Sequence, residues 1–267
     1  MGRQSNQTTL SDKHIFITGA SSGLGRAVTI ALAPIAGSLL ISARRSSILK
    51  TVKQEASTSQ AQILSYSADL SKASEIKQLC DYAKNRLGHI DIIINCGAAF
   101  NGGPALHNVP LSDWNHMINT NLRAPYLIAR HLVPGMISNS YGKIVNITSA
   151  TNHAAGIGTF RISKIGLEVA TACLADELKG TGIATFAFNP NWMKSGHSDS
   201  GHHPRGAASA IVELLQRSTK QLNGNFFDLE WPGRKYHIAQ RRRKPGQYGF
   251  DKINADSAVP TFWGIES

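Results

Sequence analysis

The sequence predicts an α/β fold in which a doubly wound parallel sheet of about seven strands lies between two layers of helices. Six short runs rich in Ile, Val and Phe alternate with helical patterns, as strands covered on both faces do. The repeated strand–helix–strand unit predicts parallel pairing within a single domain over residues 1–267. The strands are predicted at 13–20, 38–44, 61–69, 90–97, 142–149 and 182–190, and the helices near 23–36, 45–57, 71–87, 112–137 and 157–180.

The 267 residues carry a formal net charge of +11 at pH 7. Such an excess is typical of proteins that bind nucleic acid, and also of enzymes that use phosphorylated cofactors. Part of the charge is local, in the basic run at 241–244. Because no recognised nucleic-acid module accompanies the charge, the cofactor interpretation is favoured and no nucleic-acid partner is expected.

The three cysteines, Cys80, Cys96 and Cys173, are widely spaced and follow no metal-binding pattern. Free thiols are typical of a reducing compartment, so we expect a cytoplasmic protein. Residues 1–13 lack the apolar core of a secretory signal, and no apolar run approaches the length that spans a bilayer. We therefore expect no membrane association.

A glycine-rich turn, ITGASSGLG at 17–25, follows the first strand and opens the first helix. Glycines allow a close approach of backbone to phosphate, and the helix N-terminus supplies free N–H groups. The turn therefore has the context that a dinucleotide site requires, although a simple glycine-rich turn is the alternative. The predicted phosphate-binding residues are Gly19, Ser21, Ser22, Gly23, Leu24 and Gly25.

The second strand ends in a basic rather than an acidic sequence. An acidic residue at this position would bind the adenosine ribose diol and favour NAD. Instead, Ala43 is followed by Arg44 and Arg45. A guanidinium pairs well with a 2′-phosphate, so this turn predicts NADP(H) as the cofactor. The alternative is a solvated basic turn without a ligand.

Six motifs together resemble those of the short-chain dehydrogenase/reductase family over residues 12 to about 230. They are TGASSGLG at 18–25, ADL at 68–70, NCGA at 95–98, NTNL at 119–122, IVNITS at 144–149, and FRISK at 160–164 in place of YxxxK. The resemblance implies a Rossmann-type fold and an oxidoreductase that transfers a hydride between a nicotinamide cofactor and a small molecule. It also implies a homodimer or homotetramer, paired through the helices near 112–137 and 157–180.

The resemblance assigns roles to individual residues. Around the cofactor it places Asp69, Leu70, Asn95, Gly97, Lys164, Pro190 and Trp192, where Asp69 would hold the adenine amino group. The catalytic tetrad positions fall on Asn121, Ser149, Phe160 and Lys164. The family's Pro-Gly turn after the sixth strand is Pro190-Asn191 here. Because Asn tolerates left-handed dihedrals, we expect the turn to persist.

The tetrad residues have separable physical roles. Ser149, at a strand end, can hydrogen-bond a substrate carbonyl, and Lys164 can hold the nicotinamide ribose and lower the pKa of a neighbouring acid. Asn121 can carry a water that connects Lys164 to solvent. Taken alone, Ser149 could be an ordinary strand-end serine, and Asn121 could bond the backbone at a helix irregularity. Lys164 is harder to explain structurally, because it interrupts an apolar helix.

Phe160 stands where the family has its proton-donating tyrosine, so the transferable proton is missing. Phe160 and Lys164 lie four residues apart and share one helix face. A second Tyr-x-x-x-Lys runs from Tyr248 to Lys252. Since it lies in a stretch without helical pattern, we interpret it as coincidental.

Three explanations for Phe160 stay open. The first is a ketone or aldehyde reductase whose hydroxyl was removed by design, which stalls a proton transfer worth roughly 10²–10⁴-fold. The second is a natural enzyme acting on an imine or activated alkene, because hydride addition there creates no alkoxide. The third is a protein that binds NADP(H) without turnover. Drift in such a binder should also erode Ser149 and Lys164, yet both are present.

The substrate side is predicted to be apolar or aromatic, and to include Phe100, Ser149, Phe160, Trp192 and Met193. Residues 196–210 are rich in Gly, Ser and His, and are predicted to form a mobile substrate loop before a helix. Beyond about 232 the sequence is polar and poorly patterned, which predicts an irregular C-terminal extension over 232–267.

Three histidines, His197, His202 and His203, raise the question of a zinc site. No cysteine or carboxylate cluster accompanies them in the sequence. We therefore predict no metal and interpret these histidines as part of the substrate loop.

Overall fold

The computed structural model describes residues 8–57, 60–149, 155–191, 193–194, 201–231 and 235–241. These residues form one eight-stranded sheet in the order β3-β2-β1-β4-β5-β6-β7-β8, with helices on both faces. The strand order reverses between β1 and β4, which is the arrangement of a doubly wound sheet. The predicted three-layer α/β/α class is therefore confirmed.

Each of the six strands predicted from the sequence contains one observed strand. Neighbouring strands pair in parallel from β3 across to β7. Their bounds are β1 His14–Thr18, β2 Ser38–Ala43, β3 Gln62–Ser67, β4 Ile92–Asn95, β5 Gly142–Ile147, β6 Ile183–Asn189, β7 Phe226–Glu230 and β8 His237–Arg241.

The helices fill the two outer layers. They are α1 Gly23–Leu32, α2 Ser46–Ala56, α3 Ala73–Leu87, α4 Leu111–Ile118, α5 Ala124–Ser138, α6 Gly158–Glu177, α7 Pro204–Leu215 and α8 Thr219–Leu222. A π-helical segment, Asn119–Arg123, joins α4 to α5, and a short 3₁₀ turn, Leu106–Asn108, precedes α4. The long periodic stretch predicted near 112–137 is thus two helices with a wider turn between them. No helix in the described part of the chain is both long and apolar enough to cross a membrane.

Alternate side chains of each strand enter opposite cores, because successive side chains point to opposite faces of a sheet. In β1, Ile15 and Ile17 pack in the core beneath α1, α2 and α7, whereas Phe16 packs in the core beneath α3 and α5. Burial on both faces explains why the strand sequences are nearly continuous apolar runs.

Two boundaries differ from the predictions. Residues 204–210 belong to α7 rather than to a loop, because Pro204 stands at the first helical position and the His203 ring accepts a hydrogen bond from the Arg205 N–H. Residues 237–241 form β8, antiparallel to β7, where an irregular extension was expected. The rest of the predicted loop and extension lies largely outside the described residues.

A partly buried ion network links β8 to β7 and α6. Arg241, the last residue of β8, donates from Nε to Asp228 on β7 and from Nη2 to Glu168 on α6, the latter over 3.2 Å. The Glu168 side chain is only 3% exposed. Burial raises the pKa of the Glu168 carboxyl, although the charge of Arg241 opposes this effect.

We expect Arg241→Met to lower the free energy of unfolding by about 2 kcal/mol at pH 7, because it leaves Glu168 buried without its cation. Glu168 has a folded-state pKa above its unfolded value, so the charge is costly at neutral pH and the cost disappears as the pH falls below about 4.5. Urea unfolding at pH 7 and pH 4.5 should therefore show a smaller loss at the lower pH. Lys77→Met, which breaks an exposed helix pair with Asp81 at 2.7 Å, is the control and should change stability little. Equal losses for the two variants would contradict the prediction.

Candidate active site

A cavity of about 550 Å³ opens at the carboxyl ends of the central strands, where the strand order reverses. It receives residues from the ends of β1, β2, β4, β5 and β6 and from helices α4 and α6. Sixteen of the residues predicted from the sequence line it: Gly19, Ser21, Ser22, Gly23, Leu24, Gly25, Arg44, Arg45, Asp69, Leu70, Gly97, Phe100, Ser149, Phe160, Lys164 and Pro190. Met193 lines it as well.

The glycine-rich turn brings backbone close to backbone between β1 and β4. Gly19 has φ +69°, and a Cβ on it would lie 2.6 Å from Gly97 Cα. A Cβ on Gly25 would meet the Gly19 carbonyl oxygen. Helix α1 begins at Gly23, so the N–H groups of its first turn open onto the cavity. This geometry suits an anionic phosphate group.

At the end of β2, Arg44 and Arg45 are exposed at the rim of the cavity. Asp69 lines the same end and accepts hydrogen bonds from the Ser71 N–H and hydroxyl at 2.9 and 2.8 Å. Partial burial opposes the charge of Asp69, but the Ser71 bonds and the charge of Arg44 lower its pKa overall. This end of the cavity therefore holds an ionised acceptor next to fixed positive charge.

Two predicted residues do not line the cavity. Asn95 is buried behind the end of β4, where its Nδ2 donates to Asn146 Oδ1 over 2.8 Å. Asn121 lies in the π-helical segment and exchanges hydrogen bonds with the backbone of Ala99 at 2.7 and 2.9 Å. Its Nδ2 also contacts Ser163 Oγ at 3.0 Å. Both amides thus hold the walls of the cavity together. Trp192, predicted at the nicotinamide end, lies outside the described residues.

Lys164 is buried at the floor of the cavity, only 5% exposed. Its Nζ donates to the Ile147 carbonyl oxygen over 2.7 Å. Burial lowers the pKa of the Lys164 ammonium to about 8, and neighbouring Cys96 opposes this shift. The same burial raises the pKa of the Cys96 thiol to about 12. The lysine is therefore charged at neutral pH and close to its titration range.

Phe160 presents its ring to the cavity one helical turn before Lys164. Its ring packs edge-on against Phe100, with centroids 5.0 Å apart, and Lys164 Nζ lies 5.8 Å from the Phe160 centroid. The tyrosine position is therefore filled by a ring that contacts both an aromatic wall and the buried cation. The predicted pairing of Phe160 and Lys164 on one face of a helix is present.

Ser149 lies at the end of β5 on the wall of the cavity. Its Oγ accepts a hydrogen bond from Arg161 Nη1 over 3.0 Å. Arg161 follows Phe160 on α6. The motif FRISK by itself predicts no role for this arginine. The spatial contact with Ser149 distinguishes this arginine from a solvated helix residue.

The end of the cavity where the substrate was predicted to bind is bounded by Phe100, Met193 and the Pro190-Asn191 turn. Asn191 adopts φ +60°, as expected for an Asn in place of a turn glycine, and its Nδ2 donates to the Leu229 carbonyl oxygen over 3.2 Å. Met193 pairs with His202 as an isolated bridge. The two ends of the segment between them are therefore held side by side.

Two of the three histidines that raised the question of a zinc site lie in the described residues, and both make other contacts. The His202 ring stacks on Trp231, with centroids 4.2 Å apart, and His203 caps α7. His197 lies outside the described residues. At the amino ends of the strands, opposite the cavity, His14, His89 and Asp91 each bring one potential ligand atom within 4.8 Å of the others. Asp91 Oδ2, however, already accepts a hydrogen bond from the His14 N–H over 2.8 Å.

Comparison with known proteins decides the family. The family model described as short chain dehydrogenase matches residues 13–204, which is more than half of the chain. The chain belongs to the short-chain dehydrogenase family. It is similar to a short chain dehydrogenase of Pseudocercospora fijiensis, with 32% identity over 192 residues. That match covers 71% of this chain but only 62% of the relative's length.

Two further similarities bear on the site. An NADPH-dependent pterin aldehyde reductase of Arabidopsis thaliana is 29% identical over 178 residues, covering 66% of this chain and 73% of that protein. A metagenomic short-chain oxidoreductase, solved in complex with NADP, superposes with a TM-score of 0.74 at 27% identity. That superposition covers 81% of this chain and 96% of the other.

The sequence reasoning missed several polar residues of this short-chain dehydrogenase cavity. His116 of α4 and Thr120 of the π-helical segment line it, as do Cys96 and Thr148. His116 and Thr120 are four residues apart, a spacing that places two residues on one helix face. This spacing, directly before the predicted site residue Asn121, is the sequence signal that could have placed His116 and Thr120 at the cavity.

We expect Phe160→Tyr to shift the melting temperature by no more than a few degrees, the usual scaling for ~1 kcal/mol in a domain of this size. Phe160 is only half-buried, so the cavity can solvate an added hydroxyl. Phe186→Tyr is the control, because Phe186 is fully buried in the core and packs edge-on against Phe227 at 5.7 Å. An unpaired hydroxyl there should cost about 1–3 kcal/mol. Thermal denaturation of both variants tests this, and a comparable loss at position 160 would contradict it.

Proposed function

We propose that this chain is an NADP(H)-dependent reductase of a small ketone or aldehyde in which Phe160 occupies the position of the proton-donating tyrosine. The observation that carries the proposal is the arrangement of Ser149, Phe160 and buried Lys164 around one end of a cavity whose other end is built for an adenine dinucleotide. The similarity to the Arabidopsis NADPH-dependent pterin aldehyde reductase supports the same reaction class.

The cavity residues fit a nicotinamide dinucleotide chemically. The α1 N-terminus and the backbone approach at Gly19 suit the pyrophosphate, Asp69 suits the adenine amino group, and the Arg44-Arg45 turn suits a 2′-phosphate. Support for NADP(H) over NAD(H) comes from Ala43, which ends β2 where an acidic residue would select the ribose diol, and from the NADP complex of the metagenomic neighbour. When bound, the nicotinamide ring supplies the hydride.

The residues of the chain then have defined tasks. Ser149 donates a hydrogen bond to the substrate carbonyl oxygen, and Lys164 holds positive charge beneath the site where negative charge develops. Phe100, Phe160 and Met193 give an apolar wall against which a hydrophobic substrate packs. Asn121 fixes the β4 loop to α6 through Ala99 and Ser163. Phe160 contributes no proton, so the alkoxide formed by hydride addition takes its proton from water or from the Lys164 ammonium, and this protonation becomes the slow part of carbonyl reduction.

Self-association and location follow as parts of the same proposal. Leu111 on α4, Tyr126 on α5 and Ile162 on α6 are large exposed apolar side chains, and Leu111 is 72% exposed. They support pairing of two or four copies through these helices. The three cysteines are free thiols, which supports a reducing, cytoplasmic environment.

We expect Arg44→Asp to weaken NADPH binding at least tenfold more than NADH binding, because it replaces the partner of the 2′-phosphate with a like charge. Titration of each dinucleotide by protein fluorescence measures the two affinities. Lys50→Asp makes the same charge change on an exposed position of α2 outside the cavity and should affect both dinucleotides equally. An equal loss for both dinucleotides in the Arg44 variant, or a native preference for NADH, would contradict the assignment.

We expect Phe160→Tyr to raise NADPH-dependent reduction of ketones and aldehydes by roughly 10²–10⁴-fold, the share usually carried by one general acid. Lys164 lowers the pKa of a phenol beside it, so Lys164→Ala in the same background should abolish the gain. Because the pKa of Lys164 is about 8, the gain should fall as the pH rises above 8 and the ammonium loses its proton.

The assay is NADPH consumption against a panel of ketones, aldehydes, imines and activated alkenes. If the native chain reduces an imine or alkene at an ordinary rate and the tyrosine variant is no faster, the enzyme is one that needs no tyrosine. If both proteins bind NADPH and neither turns over any compound, the chain is a cofactor-binding protein.

A further inference from the structure

Arg161 reaches the one cavity hydroxyl that the proposed reaction uses. Its Nη1 lies 3.0 Å from Ser149 Oγ, although Ser149 comes from the end of β5 and Arg161 from the first turn of α6. An α-helix turns about 100° per residue, so Arg161 projects to the side of the cavity-facing Phe160. Ser149 lines the cavity and Arg161 is not among the residues that do. The guanidinium therefore contacts the serine from behind the cavity wall.

The hydrogen bond between Arg161 and Ser149 can run in one direction only, from the guanidinium to the hydroxyl oxygen. A guanidinium has five N–H donors and no acceptor, so it must occupy a lone pair of Ser149 Oγ. The serine hydrogen then remains for an acceptor elsewhere, and the open side of the hydroxyl is the cavity. A neighbouring positive charge also makes the hydroxyl a stronger hydrogen-bond donor.

We propose that Arg161 is a positioning residue, which sets the Ser149 hydroxyl as the donor to the substrate carbonyl oxygen in a site where Phe160 offers no hydroxyl. This inference rests on the proposed carbonyl reduction. Lys164 does not take over this task in the structure, because its Nζ is directed to the Ile147 carbonyl oxygen. The slow turnover of the native chain then depends on the Ser149–Arg161 pair, and a tyrosine at position 160 makes the pair less important.

The local environment strengthens the contact. Arg161 is half-buried, and burial lowers the pKa of its guanidinium, which nevertheless keeps its proton at any working pH. A charge-assisted hydrogen bond is stronger where water is partly excluded. A purely structural role, in which Arg161 only anchors the end of β5, would leave the electronic state of a bound carbonyl unchanged. The two roles can therefore be separated by spectroscopy.

The first test measures polarisation without turnover. Acetophenone labelled with ¹³C at the carbonyl is added to protein saturated with NADP⁺, which cannot reduce it, and the infrared carbonyl band is recorded. We expect the band of the native complex at lower wavenumber than in the Ser149→Ala complex. Arg161→Met should remove at least half of that shift, and Arg161→Lys should restore part of it. In the Ser149→Ala background, Arg161→Met should add nothing.

Several results would overturn the inference. One is a band position in Arg161→Met equal to that of the native protein. Another is an Arg161→Met effect that persists without the Ser149 hydroxyl. A failure of acetophenone to bind to the NADP⁺-saturated native protein would also overturn the inference. Thermal denaturation of each variant identifies those whose fold is damaged. Arg130→Met is the control, because Arg130 is an exposed arginine that donates to a tyrosine hydroxyl over 3.3 Å.

The second test uses turnover to separate this inference from the proposed function. With acetophenone and NADPH, Arg161→Met should lower kcat about tenfold in the native background, somewhat less than the loss of a direct oxyanion donor. It should lower kcat less than threefold in the Phe160→Tyr background. If Phe160→Tyr is active and Arg161→Met has equal effects in both backgrounds, the proposed function stands and the positioning role fails. If Phe160→Tyr binds no cofactor and reduces nothing, the proposed function itself fails.

Discussion

The close approach of two backbones at the switch point of the sheet is the constraint on which the rest of the site depends. Gly19 begins the turn after β1 and Gly97 follows β4, and a single added Cβ on Gly19 would lie 2.6 Å from Gly97 Cα. Because β1 and β4 are parallel neighbours whose following helices leave on opposite faces, their carboxyl ends enclose a crevice. The α1 N-terminus, the Asp69 and Arg44 side chains and the wall after β4 are all placed relative to this contact.

The end of the crevice that holds Phe160 and Lys164 is placed by α6, which packs against β5 and β6. Near its start it carries Phe160, Arg161 and Lys164, and further along it carries Glu168, which is buried beside β8. Packing of α6 against β5 and β6 fixes the rotation of the helix, and this rotation sets which residue meets the cavity and which meets Ser149 from behind. A helix that served packing alone would not bury a lysine and a glutamate one turn apart.

The features that followed from the sequence are those governed by local patterns. Strands buried on both faces are continuous apolar runs, and the glycine-rich turn has a fixed context between a strand and a helix, so both were recognisable. β8 was not, because its side chains are only partly buried, and its place in the fold comes from backbone pairing with β7 and from Arg241 pairing with residues 13 and 73 positions away. Arg161 and His116 were also missed. Their roles depend on helix rotation and side-chain reach, which one-dimensional spacing near an irregular segment does not specify.

The π-helical segment between α4 and α5 sets the rotation of α5 about its axis relative to α4, and the two helices face different parts of the molecule. With five residues in the wide turn, His116 of α4 and Thr120 of the segment itself can face the cavity while α5 directs Ile128 and Leu132 into the core beneath the sheet. Each residue removed from a helix rotates everything beyond it by about 100°. A single deletion within 119–123 would therefore turn either the cavity wall or the core face outwards, so the length of this short segment is as constrained as the buried Asn121 within it.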